Sequence, residues 1–236
     1  PAEALDVFDF HTAAKHKLPP AHYGYLATGT DGNETLSANR RAFEQIYLRP
    51  MRMVDTSNIS LGTTLLDEQL KSPIILAPIG SQRAFHPDAE LASARAASAQ
   101  EHLQILSNVS SNSIEDVIEA RGKPVWFQLY PTGQWSTARM MLERAERAGA
   151  RVVVLTVDLN SGSNRVLLGQ YVRTDNRDCS SCHGAGGIDD FVRMNPMYEG
   201  SRVTYSDFDM SNMTWDYLDR IRRVTSMKIV VKGIVT

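Results

Sequence analysis

Five short apolar runs recur along the chain, and four of the five end in a polar residue. They occupy residues 74–77, 103–107, 125–128, 152–156 and 229–232. Segments with helical periodicity separate them. Continuous apolar runs that alternate with helices are typical of parallel strands covered on both faces. The pattern therefore predicts an α/β fold: an incomplete (β/α)8 TIM barrel, represented by its first five strands, with a site at the C-terminal strand ends.

The segments around these strands predict the domain organisation. Residues 1–70 precede the first strand and predict an N-terminal helical extension, in which apolar residues fall at helical spacing. Residues 71–236 then form the first part of the barrel. The connection at 159–213 is a long insertion rich in Gly, Ser, Asn, Asp and Arg. A connection of this length is usually functional or mobile, so we predict a lid.

Two helix starts are marked by local signals. Pro87-Asp88 opens a helix, and the acids Asp88 and Glu90 in its first turn suit the positive end of the helix dipole. Ser113 precedes another helix and is expected to cap it, with Asp116 completing a box-like arrangement.

Composition excludes several classes of function. The net charge is −2 and there is no basic block, which argues against nucleic acid or an anionic membrane as a partner. Apolar runs of about five residues are far below the roughly 20 that span a bilayer. Residues 1–10 carry three acids and no apolar stretch, which predicts no secretory signal and a cytoplasmic location. Two cysteines do not make a disulfide framework.

Polar residues gather where the predicted strands end. In a parallel barrel these ends share one mouth, which favours a ligand site. A lysine on an apolar strand also requires an anionic or electron-rich partner. The alternative is that each polar group satisfies a neighbouring backbone group. The set comprises Gly80, Ser107, Gln128, Tyr130, Thr156, Asp158 and Lys232.

Five short motifs make a family resemblance specific. They are Tyr-Leu-Ala-Thr-Gly at 25–29, Ala-Pro-Ile-Gly at 77–80, Phe-Gln-Leu-Tyr at 127–130, Leu-Thr-Val-Asp at 155–158 and Val-Lys-Gly at 231–233. In order and spacing the chain resembles, from Phe8 to Thr236, the FMN-dependent 2-hydroxy acid oxidase and dehydrogenase family. That family includes glycolate and lactate oxidases, mandelate dehydrogenase and the flavin domain of flavocytochrome b2. The resemblance implies an FMN-dependent oxidoreductase that converts an L-2-hydroxy acid to the 2-oxo acid, and a homotetramer.

The resemblance also implies a cofactor site. The backbone of Pro78, Ile79 and Gly80 would lie against the flavin near its reactive nitrogen. The side chains of Ser107, Gln128 and Thr156 would hydrogen-bond the edge of the isoalloxazine ring. Lys232 would lie beside the N1–C2=O side, where a fixed cation stabilises the charge of reduced flavin.

Four residues match the family's substrate and catalytic positions. Tyr25, Tyr130 and Arg165 would bind the substrate, and the planar guanidinium of Arg165 suits a carboxylate. Tyr130 would hydrogen-bond the substrate oxygen and counts, with Asp158, among the catalytic residues. Asp158 would orient and support the catalytic histidine.

The catalytic histidine itself is not among these residues. The family carries it in a Ser-Asn-His-Gly-Gly-Arg stretch after the next strand, and no such stretch occurs in the 236 residues. We therefore expect a truncated or nicked part of an enzyme, inert alone, that needs a C-terminal segment of the same or a separate chain. The alternatives are a non-catalytic barrel fragment that needs such a partner chain, or another FMN-barrel enzyme such as an isomerase.

One further motif lies in the insertion. Cys179, Cys182 and His183 match C-x-x-C-H, the attachment pattern of c-type haem. The alternative, favoured because covalent haem needs an export pathway and no signal peptide is visible, is a local sequence with two free thiols or a labile disulfide. We expect no metal site, because only three ligands of the right type lie close together.

Overall fold

The computed structural model describes residues 3–159, 162–177, 187–211 and 213–235. These residues fall into two units. The first contains residues 3–59 and 162–177, and the second contains residues 60–159, 187–211 and 213–235. The long insertion thus contributes to both units, whereas its role as a lid and the domain boundary at residue 70 stay predictions.

Helices build the first unit. They are α1 (Asp9–Lys17), α2 (Pro20–Ala27), α3 (Glu34–Arg41) and, from the insertion, α7 (Val166–Arg173), with a 3₁₀ turn at Ala42–Gln45. Helix α2 packs closely on α7, because a Cβ placed on Gly24 would lie 2.7 Å from the Cβ of Tyr171. The absence of a side chain at Gly24 therefore sets the separation of the two helices. These segments are helical, whereas residues 63–70 of the range predicted as a helical extension form strands.

A β-hairpin that the sequence did not predict opens the second unit. Strands β1 (Thr63–Leu65) and β2 (Glu68–Leu70) pair antiparallel. Leu66 and Asp67 join them with φ values of 51° and 66°, as in the tight turns that match strand twist. Side chains attach the hairpin to the main sheet: Trp126 Nε1 donates to Glu68, and Lys228 pairs with Asp67.

Five parallel strands in chain order form the main sheet. They are β3 (Ile75–Leu76), β4 (Leu103–Ser107), β5 (Trp126–Leu129), β6 (Val152–Thr156) and β7 (Lys228–Lys232). Each strand pairs with the next one along the chain, as in Ser107 with Gln128 and Thr156 with Lys232. This is the arrangement of the first five strands of a (β/α)8 barrel, and the predicted fold class is confirmed.

Helices cover one face of this sheet. They are α4 (Ala89–Gln100), α5 (Ile114–Arg121), α6 (Trp135–Arg147) and α9 (Asp216–Arg222), while α8 (Ile188–Met194) lies in the insertion. Ser113 caps α5 as predicted, since its Oγ accepts a hydrogen bond from Asp116 N at 3.1 Å. Among the described helices, none has both the length and the apolar character needed to cross a bilayer.

The alternation of side chains along the strands creates two apolar clusters. Leu106, Phe127 and Leu155 pack under the helices. Leu103, Trp126, Val152 and Val154 pack on the opposite face together with Leu70 of the hairpin. Successive strand residues point to opposite faces. Polar residues that continue the second series at the strand ends therefore emerge on the inner face, away from the helices.

Candidate functional site

Buried polar side chains lie at the C-terminal ends of three neighbouring strands, or one residue before the end, on the inner face. Ser107 of β4 and Gln128 of β5 are each 2% exposed, and Thr156 of β6 is fully buried. Gln128 Nε2 donates to Thr156 Oγ1 at 3.0 Å, and Ser107 Oγ accepts from Val109 N at 3.3 Å. The structure thus brings together the three side chains expected at the edge of a flavin ring.

Lys232 ends the next strand and has an acidic partner. Its Nζ donates to Asp158 Oδ2 at 2.6 Å, and both side chains are about half-exposed. Asp158 follows β6 and approaches β7 so closely that a Cβ at position 233 would lie 2.9 Å from Asp158 N. Gly233 permits this approach and has a φ of 111°, which a residue with a side chain rarely adopts. The anionic partner of this half-exposed lysine is therefore a residue of the predicted site.

The loop after β3 lies directly on the loop after β4. A Cβ placed on Gly80 would be 2.5 Å from Val109 Cγ2 and 3.2 Å from Val109 O. Ser81 N also donates to Val109 O at 2.8 Å. Pro78 and Gly80 are partly exposed, and Ile79 is exposed on the surface of this loop. The backbone predicted to face the flavin is thus held against the strand end that carries Ser107.

A buried asparagine anchors the backbone of Tyr130. Asn108 Oδ1 accepts from Tyr130 N at 3.2 Å, and Asn108 Nδ2 donates to Tyr198 OH at 2.8 Å. Burial raises the pKa of the Tyr198 phenol well above its ordinary value. Sequence reasoning missed Asn108 and Tyr198. The only local signal was the position of Asn108, directly after the strand-end residue Ser107.

Tyr25 and Arg165 meet within the first unit. Arg165 Nη2 donates to the carbonyl oxygens of Tyr25, at 2.7 Å, and of Thr28, at 2.5 Å. The guanidinium carbon lies 4.8 Å from the centroid of the Tyr25 ring, within the range of a cation–π interaction. The structure therefore pairs the two residues at the C-terminal end of α2. Their roles in binding a substrate stay predictions.

The C-x-x-C-H motif at 179–183 lies outside the described residues, so its function stays open. Within the described part of the chain, no group of three or more His, Cys, Asp or Glu side chains could hold a metal ion.

The donor set on the inner face fits FMN. The edge of an isoalloxazine ring presents carbonyl oxygens, ring nitrogens and an N–H group, and so needs donors and acceptors in one place. The Gln128 amide and the Ser107 and Thr156 hydroxyls can both donate and accept, and Lys232 adds a positive charge. These four residues lie at or next to the C-terminal ends of adjacent parallel strands of the same sheet.

Comparison with known proteins gives consistent matches over almost the whole chain. A family model described as FMN-dependent dehydrogenase matches residues 14–236. Glycolate oxidase 1 of Oryza sativa subsp. indica is 32% identical over 242 residues, which cover 99% of this chain and 63% of that protein. Glycolate oxidase of Spinacia oleracea is 32% identical over 243 residues, with the same coverage of 99% and 63%. The chain thus spans less than two thirds of the length of these relatives.

Solved structures agree in fold. A mutant mandelate oxidase with (S)-mandelic acid superimposes with a TM-score of 0.80 at 26% identity, covering 99% of this chain and 62% of that chain. Mandelate oxidase with (S)-2-phenylpropionate gives a TM-score of 0.78 at 27% identity, with the same coverage.

Proposed function

This chain belongs to the family of FMN-dependent dehydrogenases, and from that premise we propose that the protein oxidises a small L-2-hydroxy acid to the corresponding 2-oxo acid. Glycolate, lactate and mandelate represent the range of substrates. The observation that carries the proposal is the row of polar strand ends, Ser107, Gln128, Thr156 and Lys232, on one face of the sheet. Bound FMN would supply the two-electron acceptor for the reaction.

The residues of the second unit have distinct tasks in this proposal. Ser107, Gln128 and Thr156 hold the ring edge in place, because their side chains are buried and fixed by hydrogen bonds. Lys232 places a positive charge where negative charge develops. Gly80 keeps the loop after β3 free of a side chain and close to Val109.

Tyr130 keeps the substrate-binding role that the family resemblance gives it, and so, each by itself, do Tyr25 and Arg165. A hydroxyl and a guanidinium suit the carboxylate and the 2-oxygen of such an acid. Asp158 supports a histidine that acts as the base and fixes its orientation. That histidine belongs to a C-terminal segment of the same or a separate chain, since the 236 residues contain no match to the family stretch that carries it.

Anaerobic mixing of the full-length, FMN-loaded protein with glycolate, L-lactate or L-mandelate tests the proposal. We expect the flavin absorbance to bleach with at least one of these acids and to persist with the D enantiomers. Tyr130→Phe should slow the bleaching and leave bound FMN in place. A flavin that stays oxidised with every 2-hydroxy acid would contradict the proposal. Parallel assays of hydrogen peroxide and of dye reduction then identify the electron acceptor.

Two further properties form part of the proposal. A homotetramer is supported by the family resemblance, and light scattering of the full-length protein measures it. A cytoplasmic location is supported by a composition with only two cysteines, and cell fractionation checks it.

A further inference from the structure

Glu90 is a fully buried acid that contacts the loop after β3 and the loop after β4. It lies in the first turn of α4 and has no exposed surface. Its Oε1 accepts a hydrogen bond from Gln82 N at 3.1 Å and another from Ser111 N at 3.0 Å. Gln82 belongs to the loop after β3, and Ser111 belongs to the loop after β4. One carboxylate oxygen therefore joins two loops that are distant in sequence.

Further hydrogen bonds reinforce the same junction. Arg83 N donates to Ser111 Oγ at 3.2 Å, and Ser81 N donates to Val109 O at 2.8 Å. Ser93 Oγ, one helical turn along α4, donates to Gln82 Oε1 at 2.7 Å. The Gly80 backbone and the segment after Ser107 are thus fixed to each other and to α4, with Glu90 at the centre.

The energetic cost of this arrangement argues for a specific role. A buried carboxylate is unfavourable unless it is hydrogen-bonded. Glu90 Oε2 is buried and has no hydrogen-bond partner among the described residues. An exposed acid in the first turn would interact with the helix dipole without this cost. No apolar side chain could accept the two backbone N–H groups, however, and both would be left unsatisfied.

We propose that Glu90 is a positioning residue. It fixes the loop that carries Gly80 and the loop after Ser107 in one relative position, and so forms, before FMN binds, the surface of the two loops that receives it. The proposal rests on the proposed function for its link to FMN. The junction itself is a property of the chain. Glu90 does not contact the reacting atoms and acts through the backbone of the two loops.

Hydrogen exchange and FMN titration of the full-length protein test this role. In Glu90→Ala, both N–H groups lose their acceptor, so the amides of Gln82 and Ser111 should exchange about tenfold faster or more. FMN binding should weaken about tenfold. Glu90→Gln keeps one carbonyl oxygen in place and should retain most of both properties. Val117→Ala, a fully buried change in α5, should lower thermal stability and leave FMN affinity unchanged.

Several outcomes would overturn the assignment. One is that the amide hydrogens of Gln82 and Ser111 exchange at the wild-type rate in Glu90→Ala. Another is that Glu90→Gln loses as much protection from exchange and as much FMN affinity as Glu90→Ala. If Val117→Ala lost as much FMN affinity as Glu90→Ala, general destabilisation would explain the loss in both variants. If the wild-type protein bound no FMN, the proposed function would fail, and the exchange rates of the two amides would still decide the role of Glu90 in the junction.

Discussion

Lys232 Nζ donates a hydrogen bond to Asp158 Oδ2 over 2.6 Å, which joins the last residue of β7 to the segment after β6. The family resemblance assigns the lysine to the flavin and the aspartate to the catalytic histidine. Because the two side chains are paired, a change of charge at one alters the field at the other. The pair is half-exposed, so its own contribution to stability is only about 0–1 kcal/mol. In the proposed function the pair therefore acts through its electrostatic field and not through stability.

Lys232→Met should make bound flavin harder to reduce. Loss of the cation removes stabilisation of the developing negative charge, and we expect the midpoint potential to fall by about 30 mV or more, or about 1.4 kcal/mol. Redox titration of the full-length protein measures this. Lys228→Met is the matched control, because Lys228 lies at the other end of the same strand and pairs with Asp67. Equal potentials in the two variants would refute the role of Lys232.

Gly80→Ala should destabilise the protein through a clash with Val109. The new Cβ would lie 2.5 Å from Val109 Cγ2, and overpacking of this kind costs about 1–3 kcal/mol. Val109→Ala removes that atom and should recover most of the loss, so the two changes are coupled. Urea unfolding of the single and double variants gives the coupling. Strictly additive effects would mean that this contact does not constrain position 80.

Gly233→Ala should be more destabilising than Gly149→Ala. Both glycines have positive φ values, 111° and 104°, so each substitution incurs backbone strain of about 1–2 kcal/mol. A Cβ at 149 meets nothing within 4 Å, whereas one at 233 would lie 2.7 Å from Asp158 Cβ. The additional loss at 233, about 1–3 kcal/mol, isolates the close approach of β7 to Asp158. Thermal unfolding of both variants measures it, and equal losses would count against this contact.

Asn108→Ala should destabilise the protein and displace Tyr130. The change leaves Tyr130 N and the Tyr198 hydroxyl without their partner, at a cost of about 2–4 kcal/mol. Tyr198→Phe keeps the ring against Phe191, whose centroid is 4.9 Å away, and should cost less. We expect a higher KM for the 2-hydroxy acid that reduces the flavin in Asn108→Ala than in Tyr198→Phe. An unchanged KM in the alanine variant would show that the Tyr130 backbone is held by other contacts.

The free energy of unfolding should decline in alkaline solution, because two tyrosines that are buried in the folded protein ionise more readily once it unfolds. Burial raises the pKa of Tyr198 and Tyr217 above the ordinary value of 10.0. A raised pKa in the folded state gives a contribution that is complete below pH 10 and is lost as the pH rises further. Tyr198→Phe should flatten this decline, and the exposed Tyr205→Phe should not. Denaturant unfolding across this pH range measures the slopes, and identical slopes would contradict the assignment.

A loss of stability at acidic pH is expected from Glu115. Its partial burial works to raise its pKa, but the hydrogen bonds from Arg144 outweigh this and lower it. A lowered pKa in the folded state gives stability that is present above the ordinary value of 4.5 and lost as the pH falls below it. Since the pair is partly exposed, the loss should be a few tenths of a kcal/mol, or about 0.5 kcal/mol at most. A Glu115→Gln variant should show no such component in acid unfolding.

The sequence predicted the strands of the main sheet and the starts of α4 and α5, because their signals are local. Apolar runs mark β4 to β7. Ser113 caps α5 by accepting a hydrogen bond from the backbone of Asp116, the residue expected beside it. The hairpin at 63–70 was not predicted. Its strands have three residues each, and its turn places Leu66 and Asp67 at positive φ without the usual Asn-Gly signal. Contacts with Trp126 and Lys228, far along the chain, stabilise it instead.

The sequence by itself determined the strand order, the alternation of faces and hence the inner-face row of Ser107, Gln128, Thr156 and Lys232, since side-chain direction follows from the period of a strand. Only the tertiary structure decided that Glu90, an ordinary first-turn acid by sequence, is buried between two loops, and that Asn108 holds Tyr130. The hydrogen bonds from Ser111 to Glu90 and from Tyr130 to Asn108 join residues that are 21 and 22 positions apart. Such bonds depend on where the chain brings their atoms, and no local pattern encodes those distances.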